Sequence, residues 1–282
     1  MAAIGATAVL AACGGSGGGP GGSPTPSATA TQQPTPAPTP APTATQIPPT
    51  PTATPVPAAT VSVYLLRDGK VAPVRRGVSP LTPAFDSVVA LLGGPAGDEA
   101  QLGFTSDVPT TARIISVSIA GGVATADFTS TFTANTTGAL TGYARVAEVV
   151  YTLTQFSSVR SVTLRIDGRT VAGGLTRSSE ESFTPAIFVE APVAGQSVSS
   201  PLRVWGTANT FEGVFRIRMW MVNGPVIFDY PVQATSGTGT RGTFDVTVRF
   251  TNSGLGTLEV YEVSMKDGSH VKAVDLPVTL LP

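Results

Sequence analysis

Hydrophobic and polar residues change their pattern twice along this 282-residue chain. In residues 60–182, alternating runs typical of strands are mixed with runs at helical spacing. Strands are predicted at 61–66, 71–76, 115–119, 123–128 and 161–166, with a sixth after Asp167-Gly168, and helices start at Pro83 and near Tyr143. Asp68-Gly69, Gly121-Gly122 and Asp167-Gly168 are typical hairpin or turn signals. The order β-β-α-β-β-α-β-β repeats a ββα unit and predicts an α+β domain with helices against a sheet.

The two predicted helices have recognisable apolar positions and a start signal. Thr82 is expected to cap the first helix, with Pro83 as its first residue. The apolar positions are Phe85, Val88, Val89 and Leu92 in the first helix, and Tyr143, Val146, Ala147, Val150 and Thr154 on one face of the second. Gly93-Gly94-Pro95 is expected to end the first helix.

In residues 184–282 helical spacing disappears and short alternating runs replace it. Seven strands are predicted, at 187–189, 202–206, 215–222, 226–230, 244–250, 258–265 and 271–278. This number of short strands predicts an all-β, immunoglobulin-like sandwich. The chain has a single Cys, so no disulfide joins the sheets. We therefore expect four aromatic residues to supply much of the core: Trp205, Phe215, Trp220 and Phe244.

The segment before these domains has a different composition. No Asp, Glu, Lys or Arg occurs before Arg67, and residues 13–59 are rich in Gly, Pro, Thr and Ala. Such a segment buries too little apolar surface to fold, so a disordered linker is predicted. Its Pro-rich part favours extended polyproline II at about 3.1 Å per residue, which gives a reach on the order of 100 Å.

The first residues carry a candidate lipid-attachment site. Val9-Leu10-Ala11-Ala12-Cys13-Gly14 resembles a bacterial lipobox, in which a signal peptide, here residues 1–12, is cleaved before a Cys that carries diacylglycerol. The resemblance implies a lipoprotein anchored to the bacterial membrane through Cys13 and exposed outside the cytoplasm. Residues 1–12 lack the basic segment of a signal peptide, so we expect the natural start upstream of Met1.

Charge and residue content exclude several classes of function. The 17 Lys and Arg residues are nearly balanced by 18 Asp and Glu residues, so no basic surface for nucleic acid is expected. One Cys and one His exclude thiolate-rich and multi-histidine metal centres. We expect no cofactor and no metal site.

Three carboxylates raise the question of catalysis. Two carboxylates among Asp127, Glu148 and Asp167 could form the pair that glycoside cleavage in peptidoglycan requires. However, Asp127 is out of phase with its apolar neighbours and is expected to face solvent or cap a loop. Glu148 is expected beside the apolar stripe of its helix, and Asp167 in a turn. His270, near Asp267, is interpreted as a hairpin-end residue, not a proton relay. No catalytic residue is therefore assigned.

The first domain resembles a known family, the GerM domain of sporulation and spore-germination proteins. The resemblance lies in residues 90–95 (ALLGGP), 119–128 (IAGGVATADF), 149–156 (VVYTLTQF) and 162–168 (VTLRIDG). It implies an extracytoplasmic module that mediates protein contacts, with no established enzyme chemistry.

The second domain resembles the immunoglobulin-like domain found beside GerM domains in spore-germination lipoproteins. The carrying residues are 199–202 (SSPL), 206–213 (GTANTFEG), 259–262 (EVYE) and 266–269 (KDGS). The resemblance implies an adhesion or interaction module. Phe211 and Glu212 lie in a predicted loop and are interpreted either as part of a binding surface or as a packed loop anchor.

Together these features predict a non-catalytic, lipid-anchored protein of the cell envelope, with a scaffold or adhesion role of the sporulation and germination type. Its expected partners are the membrane, through the lipid, and either other envelope proteins or peptidoglycan. Two alternatives stay open: a hydrolase that remodels peptidoglycan, and a membrane-anchored module that binds wall carbohydrate.

Overall fold

The structure is a computed structural model that describes residues 58–140 and 142–281. The predicted signal peptide, and all of the predicted linker except Ala58 and Ala59, lie outside the described residues. We call residues 60–182 the first domain and residues 184–282 the second domain, as the sequence predicts. The described part is mostly β-structure with two α-helices.

The first domain contains nine regular elements. They are β1 (Ala59–Arg67), β2 (Lys70–Val78), α1 (Pro83–Leu92), β3 (Phe104–Thr105), β4 (Ile114–Ala120), β5 (Val123–Phe128), α2 (Ala144–Leu153), β6 (Ser161–Ile166) and β7 (Arg169–Leu175). Both expected ββα units are present as an antiparallel hairpin followed by a helix. The additional element is the two-residue strand β3, which pairs with β1. The predicted α+β class is confirmed.

The first domain has two sheets where one was expected. One sheet has the order β2-β1-β3, and the other has the order β4-β5-β6-β7 with a parallel pair, β5 and β6. Helix α2 contacts β1 and β2 of the first sheet and β6 of the second, and α1 also contacts both sheets. The helices therefore lie between the sheets, which explains why every residue of α2 from Arg145 to Leu153 is buried.

Local turn chemistry fixes the hairpins. Asp68 and Gly69 have φ of 53° and 71°, and Gly121 and Gly122 have φ of 58° and 87°. Two successive positive φ angles are the signature of the type I′ turn, whose twist matches that of the flanking strands. Asp167 and Gly168 repeat the pattern at 45° and 79°, so the turn role predicted for Asp167 is confirmed.

Helix α1 differs in detail from its prediction. Thr82 precedes Pro83 as expected, but its hydroxyl donates to the Asp86 carboxylate at 2.8 Å and makes no cap to the backbone. Val89 is exposed, while Val88 and Leu91 are fully buried. The face of the helix that packs against the core runs through Ala84, Val88 and Leu91, which follow each other at steps of four and three residues, because this face lies against the sheets.

The second domain is a sandwich of two sheets. Its strands are β8 (Ile187–Ala191), β9 (Ser197–Ser199), β10 (Leu202–Ala208), β11 (Val214–Met221), β12 (Val226–Gln233), β13 (Gly242–Val248), β14 (Gly254–Val263) and β15 (His270–Leu281). One sheet has the order β13-β10-β8 and the other the order β12-β11-β14-β15-β9. The predicted immunoglobulin-like class and all seven predicted strands are confirmed. The short strand β9 was not predicted and pairs in parallel with β15.

The aromatic core of the second domain is only half of what was expected. Phe215 and Phe244 are buried, and their ring centroids lie 4.9 Å apart at the centre of the sandwich. Trp205 and Trp220 instead lie on the outer faces, where the guanidinium groups of Arg203 and Arg218 cover their rings at 5.6 and 5.1 Å. Each Trp alternates with buried residues along its strand, and that phase places it outside.

Candidate functional site

Two of the three carboxylates considered for catalysis, Asp127 and Glu148, do not converge. Asp127 alternates with Ala126 and Phe128, which face the helices, so its side chain lies on the opposite face of its sheet. Glu148 belongs to α2 and lies on the helix side of that sheet. Two carboxyl groups on opposite sides of a sheet cannot flank one glycosidic bond, as hydrolysis with an acid and a base requires.

Asp127 is less exposed than expected. The side chain is buried, and its Oδ1 accepts a hydrogen bond from the backbone N–H of Gly168 at 3.0 Å. The expectation that it caps a loop is thus met by the turn between β6 and β7, while the solvent-facing alternative is wrong. The burial follows from the parallel neighbour β6, which places Arg165 directly beside Asp127.

Glu148 is the most unusual carboxyl group in the first domain. It is fully buried, not beside the apolar stripe, because α2 is covered on all sides. Its Oε2 accepts from the backbone N–H of Asp107 at 3.0 Å, and its Oε1 has no hydrogen-bond partner among the described residues. Burial raises the pKa of Glu148 to about 8, an effect that the Ser106 side chain and the Asp107 N–H offset only in part.

A buried polar cluster joins the two domains; we call Tyr64, Arg177 and Glu190 the joint. Arg177, in the segment after β7, makes an ion pair with the Glu190 carboxylate of β8. The Tyr64 hydroxyl donates to the other Glu190 oxygen, and an Arg177 nitrogen lies 3.1 Å from the Tyr64 oxygen. The Glu190 side chain is only 3% exposed. A buried charge with such partners holds its surroundings in one arrangement, since each partner is costly to lose.

Aromatic packing surrounds the joint. The ring centroid of Tyr151 lies 5.6 Å from that of Tyr64 and 5.6 Å from that of Phe188, and the Tyr151 and Phe188 rings pack edge to face. The Arg177 guanidinium lies over the Tyr64 and Tyr151 rings at 5.2 and 4.7 Å. Residues of β1, α2 and β8 thus form one small apolar cluster across the domain boundary. The boundary between the domains is therefore packed, not a flexible linker.

The segment between β7 and β8, which leads from the first domain into the second, is tied to the second domain by polar contacts. The Glu181 carboxylate accepts from Arg241 Nε at 3.0 Å and from Asn209 Nδ2 at 3.1 Å. Arg241 also donates to the Pro185 carbonyl at 3.0 Å. These contacts attach the connection to the loops on either side of β11 and β12, one of which contains Phe211.

Phe211 and Glu212 lie at the surface, in a short 3-10 turn between β10 and β11. Phe211 is 59% exposed, so the packed-anchor interpretation does not describe its side chain. Glu212 is also exposed and has φ of 53°, a left-handed conformation that a non-glycine residue adopts at a cost of about 1 kcal/mol or more. The prediction that the two residues form a binding surface stays a prediction.

The loop of Phe211 is held by a second loop, residues 234–241, between β12 and β13. A Cβ on Gly213 would lie 2.8 Å from the Ser236 carbonyl oxygen, and a Cβ on Gly237 would lie 2.6 Å from that of Thr210. The Thr238 backbone N–H donates to the Thr210 carbonyl at 2.8 Å. In return, the Glu212 backbone N–H donates to the Thr238 hydroxyl, also at 2.8 Å. Only glycine permits such close approach, so the two loops form one fixed unit.

His270 is not paired with Asp267. Its Nδ1 lies 2.8 Å from Glu259 Oε1, and its ring stacks on Tyr261 with centroids 3.6 Å apart. Asp267 accepts instead from the backbone N–H and the hydroxyl of Ser269. His270 begins β15, as the hairpin-end interpretation predicts, but on an outer sheet face with a carboxylate partner.

Within the described residues, no group of three or more His, Cys, Asp or Glu side chains is placed to hold a metal ion. None of the helices in 58–140 and 142–281 is long and apolar enough to cross a membrane. Cys13, the predicted lipid-attachment residue, lies outside the described residues, and so do its surroundings.

Both domains match known sequence families. Residues 41–172 match the family described as "Sporulation and spore germination", and residues 186–269 match the "Immunoglobulin-like domain of bacterial spore germination". The chain therefore joins a GerM-type domain to a spore-germination immunoglobulin-like domain. The first match begins upstream of the described residues, at residue 41. No curated protein matches the chain.

Several solved structures are similar to the GerM-type part. The tandem GerMN domains of the sporulation protein GerM from Bacillus subtilis are 19% identical over 46% of this chain and 50% of that chain, with a TM-score of 0.36. The first GerMN domain alone is 27% identical over 43% of this chain and 98% of that chain, also with a TM-score of 0.36. A putative lipoprotein from Clostridium perfringens is 15% identical over 47% and 84%, with a TM-score of 0.29. The chain spans about half the length of the tandem GerMN structure.

The joint between the GerM-type and immunoglobulin-like domains was not predicted from the sequence. Tyr64 is 113 residues from Arg177 and 126 from Glu190 in the chain, and none of the three belongs to a recognisable motif. A signal was nevertheless present in β1, where Val61 to Leu66 is a nearly continuous apolar run. Such a run indicates a strand covered on both faces, and all six residues are indeed buried.

Proposed function

We propose that this chain is a non-catalytic, lipid-anchored envelope protein that presents its GerM-type and immunoglobulin-like domains as one fixed interaction unit. The domain content supports a scaffold connected with sporulation or germination. The finer parts of the proposal are the lipid on Cys13, the location outside the cytoplasm and the binding role.

The observation that carries the proposal is the joint. The ion pair between the half-buried Arg177 and the buried Glu190, together with three packed aromatic rings, holds the two domains against each other. An enzyme would need a cleft with convergent reactive groups, whereas a scaffold needs surfaces held at a constant distance and angle. A packed joint between two modules supports the second role, because its polar partners are costly to separate and so hold the two domains in one arrangement.

The position of the acidic residues also supports a non-catalytic role. The Asp127 carboxylate accepts a hydrogen bond from the Gly168 N–H, and Glu148 is buried in the interior of the GerM-type domain. Neither carboxyl group is exposed to a substrate as large as a wall glycan.

The proposal is tested with the full chain in its native host. Metabolic labelling with an alkyne fatty acid should tag the wild-type protein and leave Cys13→Ser unlabelled and released from the membrane fraction. Chemical crosslinking in the same cells, followed by mass spectrometry, should recover envelope proteins bound to the wild type.

Zymography on purified cell walls separates the proposal from the hydrolase alternative. We expect no cleared band from the full chain. A cleared band that is lost in Asp127→Ala would overturn the non-catalytic assignment. Retention on insoluble peptidoglycan without any protein crosslink would favour the carbohydrate-binding alternative instead.

A further inference from the structure

We propose that Phe211 is the anchor of a protein-binding surface: the two-loop unit described above inserts this ring into an apolar pocket, bordered by Lys or Arg, on a partner protein. The inference rests on the proposed function, since it names the kind of partner that the interaction unit would bind.

The first argument is the exposure of the ring on a fixed backbone. Phe211 contributes little to the core, because 59% of it is exposed. Its loop is nevertheless locked by the close approach of Gly213 and Gly237 to the opposite loop. Aromatic residues dominate the binding energy of protein interfaces, and a fixed loop loses little entropy on binding. A rigid loop that displays a large apolar ring is suited to that use.

The second argument is backbone strain that the contacts between the two loops enforce. Glu212 and Thr238 both have left-handed φ angles, 53° and 51°, and they contact each other through the Glu212 N–H and the Thr238 hydroxyl. Non-glycine residues in this region are found where the surroundings enforce them, often at binding sites. Here the enforced conformation sets the position of the neighbouring Phe211.

The third argument is the attachment of the loop to the rest of the molecule. Asn209, two residues before Phe211, donates to Glu181 in the segment between the domains, and its Oδ1 accepts from the Gly239 N–H at 3.0 Å. Phe211 is therefore fixed relative to the joint, and not only within its own loop.

Local charge indicates the chemistry of the partner. Residues 209–214 and 233–243 contain two charged side chains, Glu212 and Arg241. Arg241 is engaged by Glu181, whereas the exposed Glu212 carboxylate has no ion-pair partner among the described residues. Val214, beside it, adds exposed apolar surface. An apolar pocket with a basic rim complements this surface, and an anionic lipid headgroup does not.

The test replaces Phe211 in the full chain with the photo-crosslinking residue p-benzoylphenylalanine, in the native host. The same residue at Leu255 is the matched control, since Leu255 is 64% exposed and borders the opposite end of β11. We expect a protein adduct from position 211 and none from position 255. Mass spectrometry should map the adduct to an apolar pocket of the partner with Lys or Arg at its rim.

Quantitative binding to the purified partner then decides the role of each side chain. Phe211→Ala should weaken binding by about 30-fold, the level that defines a hot-spot residue. Glu212→Lys should weaken it further and reverse its salt dependence, and Leu255→Ala should change it less than twofold. The melting temperature of Phe211→Ala should equal that of the wild type, because the ring is exposed.

Several outcomes would overturn the inference. They are an adduct to lipid, glycan or a second copy of this chain, equal adducts from both positions, or unchanged affinity of Phe211→Ala. The same probe at the exposed residues Leu81 and Met265 separates the two proposals. Protein adducts from those positions but not from 211 would end this inference and leave the interaction role standing. Protein adducts from no position would end both.

Discussion

Replacing Glu148 by Gln should change how the stability of this protein depends on pH. Gln has nearly the same volume and keeps an oxygen that can accept from the Asp107 N–H, but it cannot ionise. In the wild type the folded state holds the Glu148 proton up to a pKa of about 8, whereas the ordinary value is 4.5. Folding therefore favours the protonated form.

The sign and magnitude follow from linkage. Between pH 4.5 and 8 the folded chain binds the Glu148 proton and the unfolded chain does not. The contribution of Glu148 to the free energy of unfolding is therefore most favourable below pH 4.5 and falls as pH rises to 8. One pKa unit corresponds to about 1.4 kcal/mol, so this carboxyl group removes ~4–5 kcal/mol from the free energy of unfolding by pH 8. Glu148→Gln lacks this loss and should gain in relative stability by that amount across the same interval.

Urea unfolding of both proteins at pH 4.5, 6, 7 and 8.5 measures the effect. Far-ultraviolet circular dichroism reports on the whole chain, and tryptophan fluorescence reports on the immunoglobulin-like domain, which holds Trp205 and Trp220. Coincident transitions from the two probes would also show that the joined domains unfold together. Glu262→Gln is the control, since Glu262 pairs with Lys272 near the surface. Parallel stability curves for the wild type and Glu148→Gln would refute the reasoning.

Other substitutions test the joint, the locked loops and an exposed pair. Glu190→Gln should lower the free energy of unfolding by about 3 kcal/mol, because Arg177 loses its buried partner, as urea unfolding at pH 7 would measure. Arg203→Gln should cost far less than Glu190→Gln in the same assay, since Arg203 and Asp245 are both more than half exposed; equal losses would contradict the importance given to burial. Gly237→Ala should cost about 2 kcal/mol, because its Cβ meets backbone that cannot move aside, and a melting temperature equal to that of the wild type would contradict the locked arrangement.

The parts of the fold that follow from local chemistry could be predicted from the sequence. The turns at Asp68-Gly69 and Gly121-Gly122 need two residues that tolerate positive φ, and few dipeptides do so. These turns mark where the neighbouring strands end, so the predicted strand bounds agree with the structure to within a few residues.

The predictions that failed depend on which neighbour covers a face. Trp205 and Trp220 are large and apolar, which suggested a core position, but their phase along the strand places them under Arg203 and Arg218. Glu148 is polar, which suggested an edge position, yet the segment between β3 and β4, with Asp107, covers that side of α2. The outward position of the two Trp residues follows from the alternation along their own strands and not from residue type. The burial of Glu148 could not be derived from residue type, because the segment that covers it is distant in the sequence.

The packed joint has a consequence for how these two domains change through evolution. Tyr64 and Leu66 are buried because the immunoglobulin-like domain supplies Phe188 against them. A GerM-type domain that stands alone would expose the same strand face to water, so we expect polar residues there in single-domain relatives. Where the pair is kept, substitutions at Tyr64, Arg177 and Glu190 should occur together. The joint would then be inherited as one unit, and a recombination point between the two domains would break it.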